Sequence, residues 1–84
     1  MLNYLIICRS LTYAQKAARV LERAGITAIV TKAPQGTVKE GCAYCVKVSE
    51  RRLTDALQAL KNADLGSGRV FMQNPAGELR EVFR

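Results

Sequence analysis

Two amphipathic stretches constrain the fold of this chain most, because each lies between short runs of strand-forming residues. Apolar residues recur in both stretches every three or four positions, the spacing that gives a helix one buried stripe. The first stripe comprises Ala14, Ala17, Ala18, Leu21 and Ala24, and the second comprises Leu53, Ala56, Leu57, Leu60 and Ala63. Two helices with one apolar stripe each need a common surface to cover, and the flanking runs predict a sheet.

Residues at the ends of these stretches predict where the helices begin and end. Ser10 and Thr12 are both candidate N-caps, and Thr12 with Gln15 has the spacing of a capping box. Gly25 follows the first stripe, where a helix often ends on a left-handed residue. Ser49 is the predicted cap of the second helix, which has an acidic residue in its first turn, where the helix dipole favours an anion.

Four runs predict strands, and a fifth is a weaker candidate. Residues 1–9 contain a continuous apolar run, residues 26–32 are rich in β-branched side chains, and residues 69–73 follow a Gly-Ser-Gly break. Residues 43–48 alternate, so that Tyr44, Val46 and Val48 face one way while Ala43, Cys45 and Lys47 face the other. A tight turn at residues 74–77 precedes a possible edge strand at residues 78–83.

The order strand-helix-strand, strand-helix-strand predicts an α+β ferredoxin-like βαββαβ sandwich, with both helices on one face of an antiparallel sheet. An all-parallel sheet is disfavoured, because no helix separates the second and third strands. The prediction treats residues 1–84 as a single domain of this fold, with a possible extra C-terminal edge strand.

The charged residues favour a basic, soluble domain. Thirteen Lys and Arg against seven Asp and Glu give a net charge of +6, which suits nucleic acid, an anionic lipid surface or an acidic protein. The basic residues are scattered, however, and the third strand offers a single aromatic residue, Tyr44, without the run of aromatic residues and glycine that RNA-recognition domains use to stack bases. The sequence therefore argues against nucleic acid and membrane partners and favours solvated basic helix faces.

The three cysteines, Cys8, Cys42 and Cys45, favour reduced thiols in a cytoplasmic protein. Cys42 and Cys45 have C-x-x-C spacing, but they fall on or beside a strand, where residues three apart face opposite sides. The chain contains no His, which removes the usual general base and the commonest zinc ligand. These features indicate no cofactor and no metal.

The predicted topology brings several of these residues to one end of the sheet. The first strand ends where the first helix begins, where the second strand ends and where the third begins. Cys8, Ser10, the loop at residues 33–41 and Cys42 are therefore expected to converge on one rim. A helix N-terminus lowers the pKa of a neighbouring thiol, so this rim suits a reactive cysteine. Packing is the competing interpretation of Cys42, and it is favoured for Cys8.

Several short features of this chain occur together in one known family. They are Ser10 and the alanine-rich first helix, the Ala24-Gly25-Ile26 ending, Pro34 after the second strand, and Gly41-Cys42 before the third. With these features the chain resembles the selenium/sulfur (Se/S) carrier protein-like family, a small bacterial domain family formerly of unknown function. The resemblance covers residues 3–64. Two residues depart from the family pattern. Ala43 follows the cysteine, where the family has a small residue such as glycine or serine, and Gln35 follows the proline, where a basic residue is expected.

The resemblance implies that Cys42 accepts sulfur or selenium as a persulfide or perselenide and passes it on. Ser10, Pro34 and Gly41 are the implied binding residues around it. The implied partners are a sulfur or selenium donor, such as a cysteine desulfurase, and an acceptor protein; the chain would be a carrier more than an enzyme. The alternative is a non-catalytic homo-oligomeric assembly module, a homodimer for example, that associates through strand edges and an uncovered sheet face.

Overall fold

In the computed structural model, residues 2–34, 44–65 and 69–82 are described. The predicted alternation of strands and helices is confirmed within these ranges. In chain order the elements are β1 (Asn3–Cys8), α1 (Leu11–Arg23), β2 (Ile29–Lys32), β3 (Tyr44–Ser49), α2 (Leu53–Asn62), β4 (Val70–Gln73) and β5 (Leu79–Val82). One turn of 3-10 helix, Glu50–Arg52, precedes α2.

The five strands form one antiparallel sheet in the order β2-β3-β1-β4-β5. Strand β1 lies at the centre, between β3 and β4, while β2 and β5 are the two edges. This α+β architecture is consistent with the predicted ferredoxin-like fold. Strand β5 is the additional edge strand that was predicted at residues 78–83. None of the helices in the described ranges is long and apolar enough to cross a membrane.

Both helices pack against one face of the sheet, where the larger apolar core lies. Alternate positions of β1 and β3 supply Ile6, Val46 and Val48 to this core, and the two helices supply most of their predicted stripes. Ala24 and Ala63, the last residue of each predicted stripe, follow the helices and are exposed. The helical members of this core are Ala14, Ala17, Leu21, Ala56 and Leu60. Alanines at three of these five positions allow the helices to approach the sheet closely.

The opposite face of the sheet has a smaller apolar core of its own. Leu5 is 2% exposed and Cys45 0%, and Ile7 and Phe71 complete the cluster, against which Ala33 and Leu79 pack. The expectation of an uncovered sheet face is therefore wrong at the centre of that face. The two exposed large apolar side chains in the described ranges are Leu11 and Ile29.

Helix α1 has well-defined caps at both ends. Ser10 is its N-cap, and the Ser10 hydroxyl oxygen accepts a hydrogen bond from the Tyr13 backbone N–H at 3.1 Å. The alternative capping box at Thr12 is wrong, because the helix begins at Leu11 and Thr12 lies inside its first turn. At the other end Gly25 has φ +80°, as the sequence predicted for a helix terminus.

The end of α1 also explains why β2 is shorter than predicted. The Ile26 backbone N–H bonds to the Leu21 carbonyl at 2.9 Å and the Gly25 N–H bonds to the Glu22 carbonyl at 3.0 Å, the pattern of a Schellman motif. Ile26 is buried against the helix-side core, so it completes the helix cap. Strand pairing starts three residues later, at Ile29.

Helix α2 begins later than the sequence predicted. Ser49 precedes the 3-10 turn, but its side chain makes no capping hydrogen bond, and α-helical geometry starts at Leu53. The helix ends with the same hydrogen-bond pattern as α1, from Leu65 N–H to the Leu60 carbonyl and from Asp64 N–H to the Lys61 carbonyl. Asp64 has φ +60°, so an aspartate occupies the left-handed position here.

Candidate functional site

The register of the sheet brings three strand ends together at one rim. Cys8, the last residue of β1, lies opposite Tyr44 at the start of β3. Tyr44 in turn lies opposite Lys32 at the end of β2. The predicted convergence of these strand ends is therefore present in the structure.

Helix α1 begins at this rim, with Ser10 two residues after Cys8. The Ser10 oxygen accepts the capping hydrogen bond from Tyr13, which leaves the hydroxyl proton available to a further acceptor. No acidic residue lies in the first turn of this helix, so its positive end is not neutralised there. The Arg9 guanidinium lies 5.2 Å from the Tyr13 ring centroid and adds positive charge beside it.

Two of the predicted site residues, Gly41 and Cys42, lie outside the described residues. In the sequence, Cys42 comes two residues before Tyr44, the first residue of β3. The other two, Ser10 and Pro34, are described, and each follows closely after a strand that ends at the rim, β1 and β2 respectively.

Cys8 belongs to the helix-side core and has the environment of a packing residue. Its side chain is 4% exposed, and its thiol donates to the Ile6 carbonyl at 3.6 Å. Burial raises the pKa of the Cys8 thiol from 9.0 to about 11, and the nearby Cys45 adds to the rise. A thiol this basic is almost entirely protonated at neutral pH and is a poor nucleophile.

Cys45 lies on the opposite face of the sheet, and it is also buried. Its thiol approaches the Lys32 carbonyl at 4.0 Å. Burial raises the pKa of the Cys45 thiol, and the Lys47 ammonium two residues along the strand partly opposes this rise. Cys8 and Cys45 are both free thiols. Because they belong to the cores on opposite faces of the sheet, their geometry does not suit a disulfide.

A cavity of about 190 Å³ lies over Cys45 on this second face. Pro34 lines it, together with two polar residues from the strands on either side of β1, Lys47 of β3 and Gln73 of β4. Its remaining lining residues are Leu5, Thr31, Lys32 and Cys45. The cavity therefore combines an apolar floor with a cationic amine, an amide and a hydroxyl, next to the segment that leads into residues 35–43.

This arrangement provides positive potential and hydrogen-bond donors near the rim, and both stabilise a thiolate or another small anion. It does not provide a metal site from the described residues, since no group of three potential metal-ligating side chains occurs among them. Within those ranges the rim has neither a general base nor an exposed thiol.

Sequence reasoning missed the part that Lys47 and Gln73 play in this cavity. The alternation along β3 did place Cys45 and Lys47 on one face, and that assignment is confirmed by their shared cavity. It could not show that Pro34 from the end of β2 and Gln73 from β4 lie over the same spot. That proximity arises from pairing between strands distant in sequence.

Comparison with known protein families gives a match over most of the chain. A family model described as "Putative Se/S carrier protein-like" matches residues 3–70 of the chain. The region matched includes β1, α1, β2, β3 and α2 and reaches the first residue of β4. No curated protein and no solved structure gives a significant match.

Proposed function

The chain belongs to the family described as "Putative Se/S carrier protein-like", and from this membership we propose that it carries sulfur or selenium, with Cys42 as the acceptor. A carrier needs a nucleophilic thiol that a donor can reach. It needs no general base of its own, because the donor supplies activated sulfur or selenium. This requirement suits a chain without His.

The observation that supports Cys42 is the state of the other two thiols. Cys8 is buried with a pKa raised to about 11, and Cys45 is buried with a raised pKa as well. Both environments favour the protonated thiol and hinder attack on a large donor. Cys42 is the remaining cysteine of the three, and its place in the sequence is just before the strand that begins at the rim.

The proposed step is the transfer of one sulfur atom between thiols. The Cys42 thiolate attacks the outer sulfur of a donor persulfide, a new S–S bond forms, and the donor's S–S bond breaks. The electron pair of that bond leaves with the donor, which departs as a thiolate, while the outer sulfur keeps its proton. Cys42 then holds the persulfide, and the same exchange passes the sulfur to an acceptor thiol; for selenium, a perselenide takes its place.

Two features of the rim support a thiolate in this role. The N-terminus of α1 carries partial positive charge with no acidic residue in its first turn. The Ser10 hydroxyl retains a proton to donate, because its oxygen acts as acceptor in the helix cap. Pro34 and Lys47 line the neighbouring cavity, which gives an incoming persulfide or perselenide group a polar contact.

The test is the incorporation of sulfur from a defined donor, glutathione persulfide, followed by peptide mass spectrometry. We expect the mass of one extra sulfur on the Cys42 peptide of the native chain and its loss in Cys42→Ser. Cys45→Ala is the matched control and should retain the transfer. Alkylation by iodoacetamide over a range of pH should label Cys42 fastest, with an apparent pKa below the reference of about 8.5.

Two results would contradict the carrier proposal. Cys42 that resists alkylation until the protein is unfolded would be a packing residue. If sulfur transfer persists in Cys42→Ser and is lost in Cys45→Ala, the acceptor is Cys45 on the second face of the sheet.

The alternative proposal is a homo-oligomeric assembly module, which the exposed edge strand β2 favours. Ile29 on this edge is 56% exposed, and edge strands readily pair with a second chain. Sedimentation equilibrium distinguishes the two proposals. A dimer that persists in Cys42→Ser and dissociates in Ile29→Lys would support assembly through β2, whereas a monomer at all concentrations would exclude it.

A further inference from the structure

A second cavity, of about 320 Å³, lies at the opposite end of β3 from the rim. It results from the shortness of β2, which pairs with β3 only as far as Lys47 and leaves the last two residues of β3 unpaired on that side. The pairing begins at Ile29 opposite Lys47, so Val48 and Ser49 have no partner on β2. Residues 25–28 turn instead toward the cap of α1, and the space beside the last two residues of β3 stays open. The lining residues are Asn3, Gly25, Thr27, Ile29, Lys47, Val48, Ser49 and Arg52.

Two cationic side chains from different elements line this cavity. Lys47 belongs to β3, and Arg52 belongs to the 3-10 turn that follows it. None of the described lining residues is acidic. Two positive charges that share a concave surface raise the local potential and attract anions.

Arg52 has donor capacity that its protein contacts do not use. Its Nη1 donates to the Gly25 carbonyl at 3.4 Å, a long hydrogen bond. Its Nε is buried beside the Asp55 carboxylate, at 3.4 Å, so the donors that a ligand in the cavity can reach are those of the terminal nitrogens. A guanidinium offers five N–H donors in a planar fork suited to oxyanions.

Neutral donors complete the lining. The Ser49 side chain makes no capping hydrogen bond with the 3-10 turn that it precedes, so its hydroxyl is available to the cavity that it lines. Thr27 supplies a second hydroxyl, and Asn3, which lies opposite Ser49 in the sheet, supplies an amide. Hydroxyl, amide and guanidinium groups together form a donor set that matches an oxygen-rich anion.

We propose that this cavity binds a small molecule through an oxyanion group, a phosphate or a carboxylate, held between Lys47 and Arg52. The volume exceeds that of the anionic group alone and leaves room for further atoms beside Ile29. Asp55 pairs with Arg52 at 3.4 Å and is not among the described lining residues, so it offsets part of the guanidinium charge from outside the cavity.

Lys47 lines both this cavity and the cavity over Cys45, but none of the described residues that line this cavity is a cysteine. Strand β3 runs from Tyr44 to Ser49, and five residue steps of a strand span about 17 Å. The cavity therefore extends from Lys47, three residues from Tyr44 at the rim, to Ser49 at the far end of β3. Its occupation requires no cysteine, so Cys42→Ser should bind anions as the native chain does.

Titration of the ¹⁵N-labelled protein with inorganic phosphate, sulfate and acetate, at constant ionic strength set with chloride, tests the proposal. We expect saturable shifts of the amide signals of Thr27, Val48 and Ser49. The binding constant should weaken about tenfold in Arg52→Met and at least about fivefold in Lys47→Met, because each removes a charge-assisted contact. A response to phosphate and sulfate would identify a tetrahedral oxyanion as the ligand, and a response to acetate alone would identify a carboxylate.

Arg51→Met is the matched control, because Arg51 is an exposed neighbour that does not line the cavity. It removes the same charge and should leave the binding constant within about twofold. Equal weakening by Arg51→Met and Arg52→Met would reduce the effect to general charge attraction and overturn the proposal. Linear, unsaturable shifts with all three anions would overturn it as well. The spectrum of each variant reports whether the fold is retained, and Lys47→Met provides a second test if Arg52→Met does not fold.

Discussion

At the scale of single residues, burial separates the three cysteines of this chain. Cys8 and Cys45 are neighbours across the pairing of β1 and β3, yet they enter different cores. In both cases desolvation is the largest cause of a raised pKa. A thiol in such a place contributes apolar packing and a weak S–H donor, and it resists oxidation and alkylation.

The raised pKa of Cys8 predicts that stability falls at alkaline pH. Its pKa is about 11 in the folded chain against 9.0 as the unperturbed value. The unfolded state therefore loses this proton first, and the free energy of unfolding decreases as pH rises from about 9 toward 11, on the order of 2 kcal/mol. Below pH 9 the contribution is fully present. Urea unfolding at several pH values measures the slope.

Cys8→Ala is the comparison for this prediction. The substitution lowers stability at every pH because it leaves a cavity, but it should make the decline above pH 9 shallower. An equally steep decline in Cys8→Ala would assign the effect to other groups.

At the scale of elements, helix caps decide where each element begins and ends. Ser10 caps α1 through its side chain, whereas Ser49 makes no such bond at the turn before α2. Both helices end on a left-handed residue, Gly25 in one and Asp64 in the other. The cap of α1 extends to Ile26 and so shortens β2, which in turn opens the cavity beside Val48 and Ser49.

The cap assignment predicts different effects for two neighbouring hydroxyl residues. Ser10→Ala removes the bond to the Tyr13 N–H and should lower the free energy of unfolding by about 1 kcal/mol. Thr12→Ala is the matched control, and it should be neutral or slightly stabilising because alanine favours a helix interior. Chemical denaturation of the native chain and the two variants measures both effects. A larger decrease in the free energy of unfolding in Thr12→Ala than in Ser10→Ala would show that Thr12 caps the helix.

At the scale of the whole molecule, the sheet carries an apolar core on each face. The helices cover one face, and the smaller cluster around Leu5 and Cys45 is buried on the other. The residues of β1 from Leu5 to Cys8 are buried on both faces, which accounts for the continuous apolar run in its sequence. This central strand is therefore the structural centre of the molecule.

The second core predicts a large cost for truncating Leu5. Leu5→Ala should lower the free energy of unfolding by about 2–5 kcal/mol, the range for a buried leucine. Ile29→Ala, at a side chain that is 56% exposed, should cost less than about 1 kcal/mol. Thermal and urea unfolding of the two variants measure the contrast. A cost for Leu5→Ala as small as that for Ile29→Ala would mean that the second face is open to solvent.

The fold was largely predictable from the sequence, and the candidate site was predictable only in part. The helical stripes and the alternation at residues 43–48 are local periodicities, so they were sufficient to assign elements and faces. The burial of Cys45 and the place of Pro34 beside Gln73 depend on pairing between distant strands. The proposed role of Cys42 stays a prediction, since that residue lies outside the described ranges.

The sequence by itself determined the order of the elements, because apolar side chains recur every 3.6 residues in a helix and every two residues in a half-buried strand, and both periods can be recognised within a short segment. It also determined which residue types are available for chemistry, with three thiols and no imidazole. Only the tertiary structure decided that Cys8 and Cys45 are buried, that β2 begins at Ile29, and that Lys47 and Arg52 share a cavity. Burial and proximity are properties of packed elements, and no single segment contains the information that specifies them.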